Sequence, residues 1–227
     1  MNITKYLFLF IMLICQNSFA QKQNNQWRFG FGGALDFNTL PPSFVNGCVI
    51  AASEGSASVA DRVTGALLFY TDGVTVWNAN NQIMPNGTGL LGGVTLSSTT
   101  AAVIVPKPGS SNLYYIITVD EFTSNNGVRY SVVDMTLNGG LGDIVAGQKN
   151  IFLFQTNEER LEVIPASESA ASTTGTIFCI CALLANSGTT PPYCSWIFWV
   201  AIILDRIRPS VQTEALVSSQ DDSMARR

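Results

Sequence analysis

Leu67–Gly93 reads LLFYTDGVTVWNANNQIMPNGTGLLGG, and this stretch decides the fold class. Leu67–Thr71 and Val74–Asn78 are short runs of β-branched and aromatic residues, the composition that suits a pleated, half-buried surface. Asp72-Gly73 between them predicts a tight primed turn with φ > 0 at both positions. Asn80-Asn81 and Pro85-Asn86-Gly87 predict further reversals on either side of another short strand. A chain that turns back about every six to ten residues is an antiparallel meander.

The same grammar extends in both directions. Glycines punctuate apolar runs from Trp27 to Phe154, and the spacing predicts strands at Trp27–Phe31, Ser56–Ala60, Leu67–Thr71, Val74–Asn78, Ala101–Pro106, Leu113–Asp120, Val128–Met135 and Ile151–Gln155. Ala66–Asp72 and Asn112–Asp120 are alike: each is an aromatic-centred strand that follows a small-residue strand and ends in an acid beside a turn. A repeat of about 45 residues is the length of a four-stranded propeller blade. The expected fold is therefore mainly β, a partial or small propeller-like meander of antiparallel blades over residues 21–160.

The N-terminus sets the compartment. Lys5 precedes the apolar run Tyr6–Cys15, and Ser18-Phe19-Ala20 supplies small residues at a cleavage site. An apolar run of about ten residues falls short of the roughly twenty that span a bilayer, so residues 1–20 read as a cleaved signal peptide. Ile14 before Cys15 does not suit lipoprotein processing, which favours a small residue there. Export permits disulfides; Cys48, Cys179, Cys181 and Cys194 allow three pairings, among which the sequence does not choose.

Charge is sparse, with 12 Lys plus Arg against 16 Asp plus Glu, and no basic patch is interleaved with aromatics, so nucleic acid is not an expected partner. The chain has no histidine, and Cys179-x-Cys181 is tighter than a zinc knuckle. No metal site is expected, and no Ser-His-Asp relay can be built. Ser53–Ser58, Ser97-Ser98 and Ser110-Ser111 would need Lys107 as a base, but Pro106 and Pro108 mark that lysine as part of a surface turn. Gly87–Gly93 and Gly139–Gly142 do not follow a strand and open a helix, so they read as β loops rather than phosphate cradles.

Two sets of residues remain for function. Asp72, Asp120, Glu121, Asp134 and Asp143 lie at or near strand ends, where a pair about 5 to 9 Å apart could run glycoside hydrolysis, although turn and cap chemistry also demands acids there. Phe69, Tyr70, Trp77, Tyr114, Tyr115 and Tyr130 alternate along strands, so half would face outward, towards sugar or protein surfaces, although packing between sheets is the favoured reading of each residue taken singly and Trp77 within the hairpin reads as core. Asn86-Gly87-Thr88 fits an N-glycosylation sequon.

Beyond Arg160 the character changes. Lysine disappears, three cysteines arrive, and the apolar runs Ile177–Ala185 and Trp196–Leu204 are separated by Asn186–Tyr193 with Pro191-Pro192. Neither run reaches spanning length, and Ser210–Arg227 is polar. Residues 161–227 are therefore expected to form an atypical hydrophobic and then polar tail, irregular or helical, whose association with a membrane the sequence leaves open.

Trp27-Arg28-Phe29-Gly30, Gly33-Ala34-Leu35-Asp36-Phe37, Ser53–Ser58, Leu67–Gly93, Ile104–Gly109, Tyr114-Tyr115-Ile116 and Tyr130–Leu141 together resemble the N-terminal region of large secreted Bacteroidetes proteins. Proteins of that family carry a propeller-like N-terminal domain, PKD or other immunoglobulin-like repeats, and a C-terminal sorting domain for type nine secretion associated with gliding and adhesion. The resemblance covers about Trp27 to Leu161 and implies an exported, non-enzymatic interaction protein at the cell surface or in the medium, with no catalytic residue and no cofactor carried over. Family members run on for further blades, so the break near Arg160 reads as a shifted frame or truncation; the other reading is a short paralogue with its own tail. A carbohydrate-active hydrolase on the same scaffold is the alternative function.

The processing site is directly testable. Export from a Gram-negative host followed by N-terminal sequencing should return Gln21 as the first residue. An intact Met1 in the membrane fraction would instead mean that residues 1–20 are an uncleaved anchor.

Overall fold

The computed structural model describes residues 21–93, 98–121, 125–155 and 159–163, together with the backbone of 164–165, 178–184 and 196–202. Its fold is mainly β, built from antiparallel sheets in chain order. The first sheet holds β1 (Gln26–Phe29), β2 (Gly33–Asp36) and β3 (Ser43–Phe44). The second holds β4 (Ala57–Ala60), β5 (Leu67–Thr71), β6 (Thr75–Asn78) and β7 (Ile83–Thr88). The third holds β8 (Ala102–Pro106), β9 (Leu113–Val119), β10 (Val128–Asp134) and β11 (Asp143–Ile144), with β12 (Ile151–Phe154) also paired to β10. The fourth holds β13 (Leu161–Pro165), β14 (Phe178–Leu184) and β15 (Trp196–Ile202).

The second and third sheets pack face to face, strand upon corresponding strand. Val59, Phe69, Val76 and Met84 from β4 to β7 meet Ala102, Tyr114, Ile116, Val133 and Ile144 from β8 to β11 in one buried cluster. Phe69 and Tyr114 lie edge to face with centroids 5.5 Å apart, a geometry set by the ring quadrupoles. Corresponding strands begin at Ala57 and Ala102, and at Leu67 and Leu113, close to the repeat expected from the sequence.

Both faces of each central sheet are covered. Residues alternate across a strand, so along β9 Tyr114 and Ile116 enter the cluster shared with the second sheet. Tyr115, Ile117 and Val119 enter another cluster on the far side, with Tyr130, Val132 and Leu161 of β13. The second sheet likewise turns Tyr70 and Trp77 towards Ile50 and Ala52, the two rings stacked at 5.3 Å. The run Tyr114–Val119 has no polar face because it has no solvent face.

Side-chain hydrogen bonds lock neighbouring layers. The Asn86 N–H and amide donate to the Asp143 carboxylate at 2.8 and 2.7 Å, tying β7 to β11. The Lys149 ammonium donates to the carbonyls of Asn86 and Thr88 at the same seam.

The structure differs from the sequence reading at several turns. Asp72 does not adopt positive φ; only Gly73 does, at 90°. Asp72 instead accepts the N–H groups of Val74 and Thr75 at 2.8 and 2.7 Å, so a side chain holds the loop that a second left-handed residue was expected to form. A Cβ on Gly73 would also lie 2.7 Å from the Gly92 carbonyl oxygen, which leaves no room for a side chain there. Pro85-Asn86-Gly87 is not a turn but the middle of β7. That strand lies at the sheet edge, where a proline removes no ladder bond. The expected strand Trp27–Phe31 stops at Phe29, because Gly30 turns left-handed and starts the hairpin to β2. The two apolar runs of the C-terminal segment, expected as an irregular or helical tail, contain the paired strands β14 and β15. Both are seven-residue stretches rich in bulky apolar residues, which suit a ladder as readily as a helix.

Phe69 fills the seam between the central sheets and is fully buried. Phe69→Ala should therefore destabilise the fold by about 3–5 kcal/mol, measured as a lowered urea midpoint. A loss below about 1 kcal/mol would show that the two sheets do not depend on this packing.

Candidate functional site

The opening strand of each sheet runs beside that of the next. β1 lies against β4, β4 against β8, and β8 against β13. Two serines stitch the first pair: the Ser58 hydroxyl donates to the Gln26 carbonyl at 2.6 Å and the Ser56 hydroxyl to the Arg28 carbonyl at 3.1 Å. These carbonyls lie on the side of β1 away from β2 and would otherwise need a further strand. Small residues on β4 let the two backbones approach, which gives a physical reason for the polar, small-residue stretch Ser53–Ser58.

Where β1, β4 and β8 converge, a cleft of about 640 Å³ opens. Trp27, Phe29 and Leu35 form one wall, Val103 and Ile104 another, and Gln26, Arg28 and Ser56 contribute polar groups. Phe29 can lie flat because its partner across the hairpin is Gly33, where a Cβ would come within 2.8 Å of the ring. Trp27 leans on Phe37 with centroids 4.8 Å apart and donates its indole N–H to the Asn24 carbonyl.

Behind this wall lies a buried cation. The Arg28 guanidinium donates to the Trp27 carbonyl at 2.9 Å and to the Gln26 side-chain oxygen at 3.1 Å, while its Nε has no partner. Burial pushes its pKa down, countered by Cys48, Tyr70 and Asp36 nearby. Cys48 is a free thiol in this neighbourhood. Burial also pushes the Tyr70 phenol up to about 12, against the opposing Val49 N–H; its hydroxyl donates to the Asn81 side-chain oxygen at 2.9 Å.

Of the acids weighed for hydrolysis, Asp72, Asp120 and Asp134 hold turns and Asp143 joins two strands. Asp72 is buried, which pushes its carboxyl up against the N–H groups of Thr75 and Val74. Asp120 accepts the Glu121 and Asn126 N–H groups, Asp134 accepts the N–H and hydroxyl of Thr136, and Asp143 binds Asn86. Glu121 follows Asp120 at the exit of β9. Asp36, which ends β2 and accepts the Asn38 N–H, joins Asp72 and Asp120 as a third acid at the end of a second strand. This third instance was missed because β2 was not recognised as a strand. The hairpin signal was present in Gly30, Gly32 and Gly33.

Phe69, Tyr70, Trp77, Tyr114, Tyr115 and Tyr130, weighed between outward display and packing between sheets, are all buried, as the packing reading has them. Alternation sends them to two faces, but both faces are interior. Outward-facing aromatics collect elsewhere, at Trp27, Phe29, Phe31, Phe37 and Phe44 on the first sheet and its loops and at Phe152 on the third. Lys107 sits in a turn closed by its N–H to the Leu113 carbonyl, with its ammonium over the Tyr115 ring. Asn86 of the sequon is tied to Asp143, leaving its amide engaged. Cys179, Cys181 and Cys194 lie outside the residues whose side chains are described, and so does their pairing. Among the described residues no helix is long and apolar enough to cross a membrane.

Comparison with family models, with curated proteins and with solved structures finds no match to this chain.

Tyr70 gives the site a pH signature. An unfolded phenol ionises near 10, whereas folded Tyr70 keeps its proton to about 12, so stability is lost as pH rises from about 10 to 12. Tyr114 and Tyr130 are raised by burial too. Tyr70→Phe should therefore lessen, without abolishing, the alkaline fall of the urea midpoint; equal slopes for both proteins would contradict the assignment.

Proposed function

We propose that this chain is an exported, non-enzymatic interaction module of a cell-surface or secreted adhesion protein, of the kind found at the N-terminus of large gliding-associated Bacteroidetes proteins. The observation that carries this reading is the gathering of outward-facing aromatics on the first sheet, beside a cleft walled by Trp27, Phe29 and Ile104. Large apolar groups left in water mark recognition surfaces. A half-exposed indole beside amide and hydroxyl groups suits stacking on a sugar ring in a glycan chain.

Asp72, Asp120 and Asp134 support the same reading, since each accepts backbone hydrogen bonds that shape a turn, and Asp143 joins β7 to β11. Support for a propeller-like domain comes from the strand-upon-strand stacking of successive meanders and from their opening strands lying side by side. Export follows from the reading of residues 1–20.

Affinity electrophoresis of the mature protein in gels containing chitin, xylan or mannan tests the proposal. Retardation by at least one polysaccharide is expected, without release of reducing sugar, and Trp27→Ala should weaken it about tenfold. Absence of retardation in all three gels would count against glycan recognition. Release of reducing sugar that disappears in Asp120→Asn or Asp134→Asn would replace the module by a hydrolase.

A further inference from the structure

We propose that the cleft between β1, β4 and β8 takes an acidic glycan, a chain whose uronate carboxylate meets the Arg28 guanidinium while a sugar ring lies on Trp27. The inference rests on the glycan-recognition reading of the same site and names the class of sugar.

Charge selects the ligand. Among the described residues that line the cleft, Arg28 is the one charged side chain, and the other polar groups are the amides of Asn24 and Gln26 and the hydroxyls of Ser56 and Ser58. A cavity lined by one cation and no carboxylate favours a ligand of negative charge. The rest of the molecule does not create that preference, because the chain carries a net charge of −4 and as a whole repels a polyanion.

The cation is also short of partners. Arg28 is only 5% exposed, and a guanidinium stays charged and offers five N–H groups. Its two acceptors are both neutral, the Trp27 carbonyl and the Gln26 side-chain oxygen, and Nε has no partner. Asp36 is joined to it through Gln26, whose side chain accepts from the guanidinium and also bonds to Asp36. An enclosed charge held by neutral groups is costly to leave without a counter-ion. A carboxylate in the cleft supplies one, with two oxygens that match the guanidinium fork.

The cleft also has a place for the ring. Trp27 is half exposed, yet it is fixed by its contact with Phe37 and by its N–H to the Asn24 carbonyl, so little side-chain freedom remains to be lost on binding. Ser56 and Ser58 have given their protons to the Arg28 and Gln26 carbonyls, which leaves their oxygens to accept from sugar hydroxyls. The volume of about 640 Å³ lies within the range of small-molecule sites.

Affinity electrophoresis of the mature protein tests the proposal with glucuronate-bearing xylan and with the same xylan after its carboxyl groups have been reduced to alcohols. The acidic form should bind at least about tenfold more tightly than the reduced form, and Arg28→Gln should bring that ratio to about one. Hydrogen exchange of the unaltered protein with a glucuronate-bearing xylan oligosaccharide locates the site, with protection expected at residues 26–29 and 56–58. The two measurements on the unaltered protein decide the question if Arg28→Gln does not fold.

Equal binding of the two forms, a folded Arg28→Gln protein that keeps the preference, or protection confined to other segments overturns the acidic-glycan assignment. If reduced xylan, chitin or mannan still retards the protein in that case, glycan recognition stands. Retardation by none of the polysaccharides, acidic or neutral, removes support from both readings.

Discussion

Phe69 and Tyr114 meet edge to face between a four-stranded and a five-stranded sheet, and the rest of the structure is arranged around that seam. Stacking sheets strand upon strand buries both faces of the inner ones, which is why Tyr114–Val119 is rich in apolar and aromatic residues on both of its faces. It also requires the chain to leave each second strand in the same way. Asp36, Asp72 and Asp120 supply that exit by accepting N–H groups of the following turns. The carboxylates therefore belong to the mechanics of stacking, and their recurrence follows from the repeat.

Stacking also creates the surface. Interior layers hide their aromatics against each other, whereas the outermost described layer has nothing upon it and leaves Trp27, Phe29 and Phe44 in water. The cleft arises from the same geometry: small residues on β4 draw β1 close through Ser56 and Ser58, and β8 follows on the other side. Arg28 marks the cost of this closeness, a guanidinium held by one carbonyl and one amide oxygen with its Nε unpartnered.

Strand positions were largely legible. Leu67–Thr71 coincides with β5, and Val128–Met135 with β10 to within a residue, because period-two patterning and flanking turn residues act locally. Short strands escaped notice. Gly33–Asp36 and Asp143–Ile144 are too brief to show alternation, and Pro85-Asn86-Gly87 carries turn chemistry that its place on an edge strand overrides. The candidate site was not legible. Trp27 and Phe29 read as one more strand, and of the two readings open to the six strand aromatics, outward display and packing between sheets, packing is the one that holds.

The sequence by itself determined the β class, the positions of most strands and the acids that shape the turns, since these depend on side-chain period and on hydrogen bonds between near neighbours. Tertiary structure alone decided which alternating residues meet water. Period two assigns a side chain to one face or the other, but whether that face is interior depends on another layer. That is why Tyr70 and Tyr115 are buried while Phe44 is exposed.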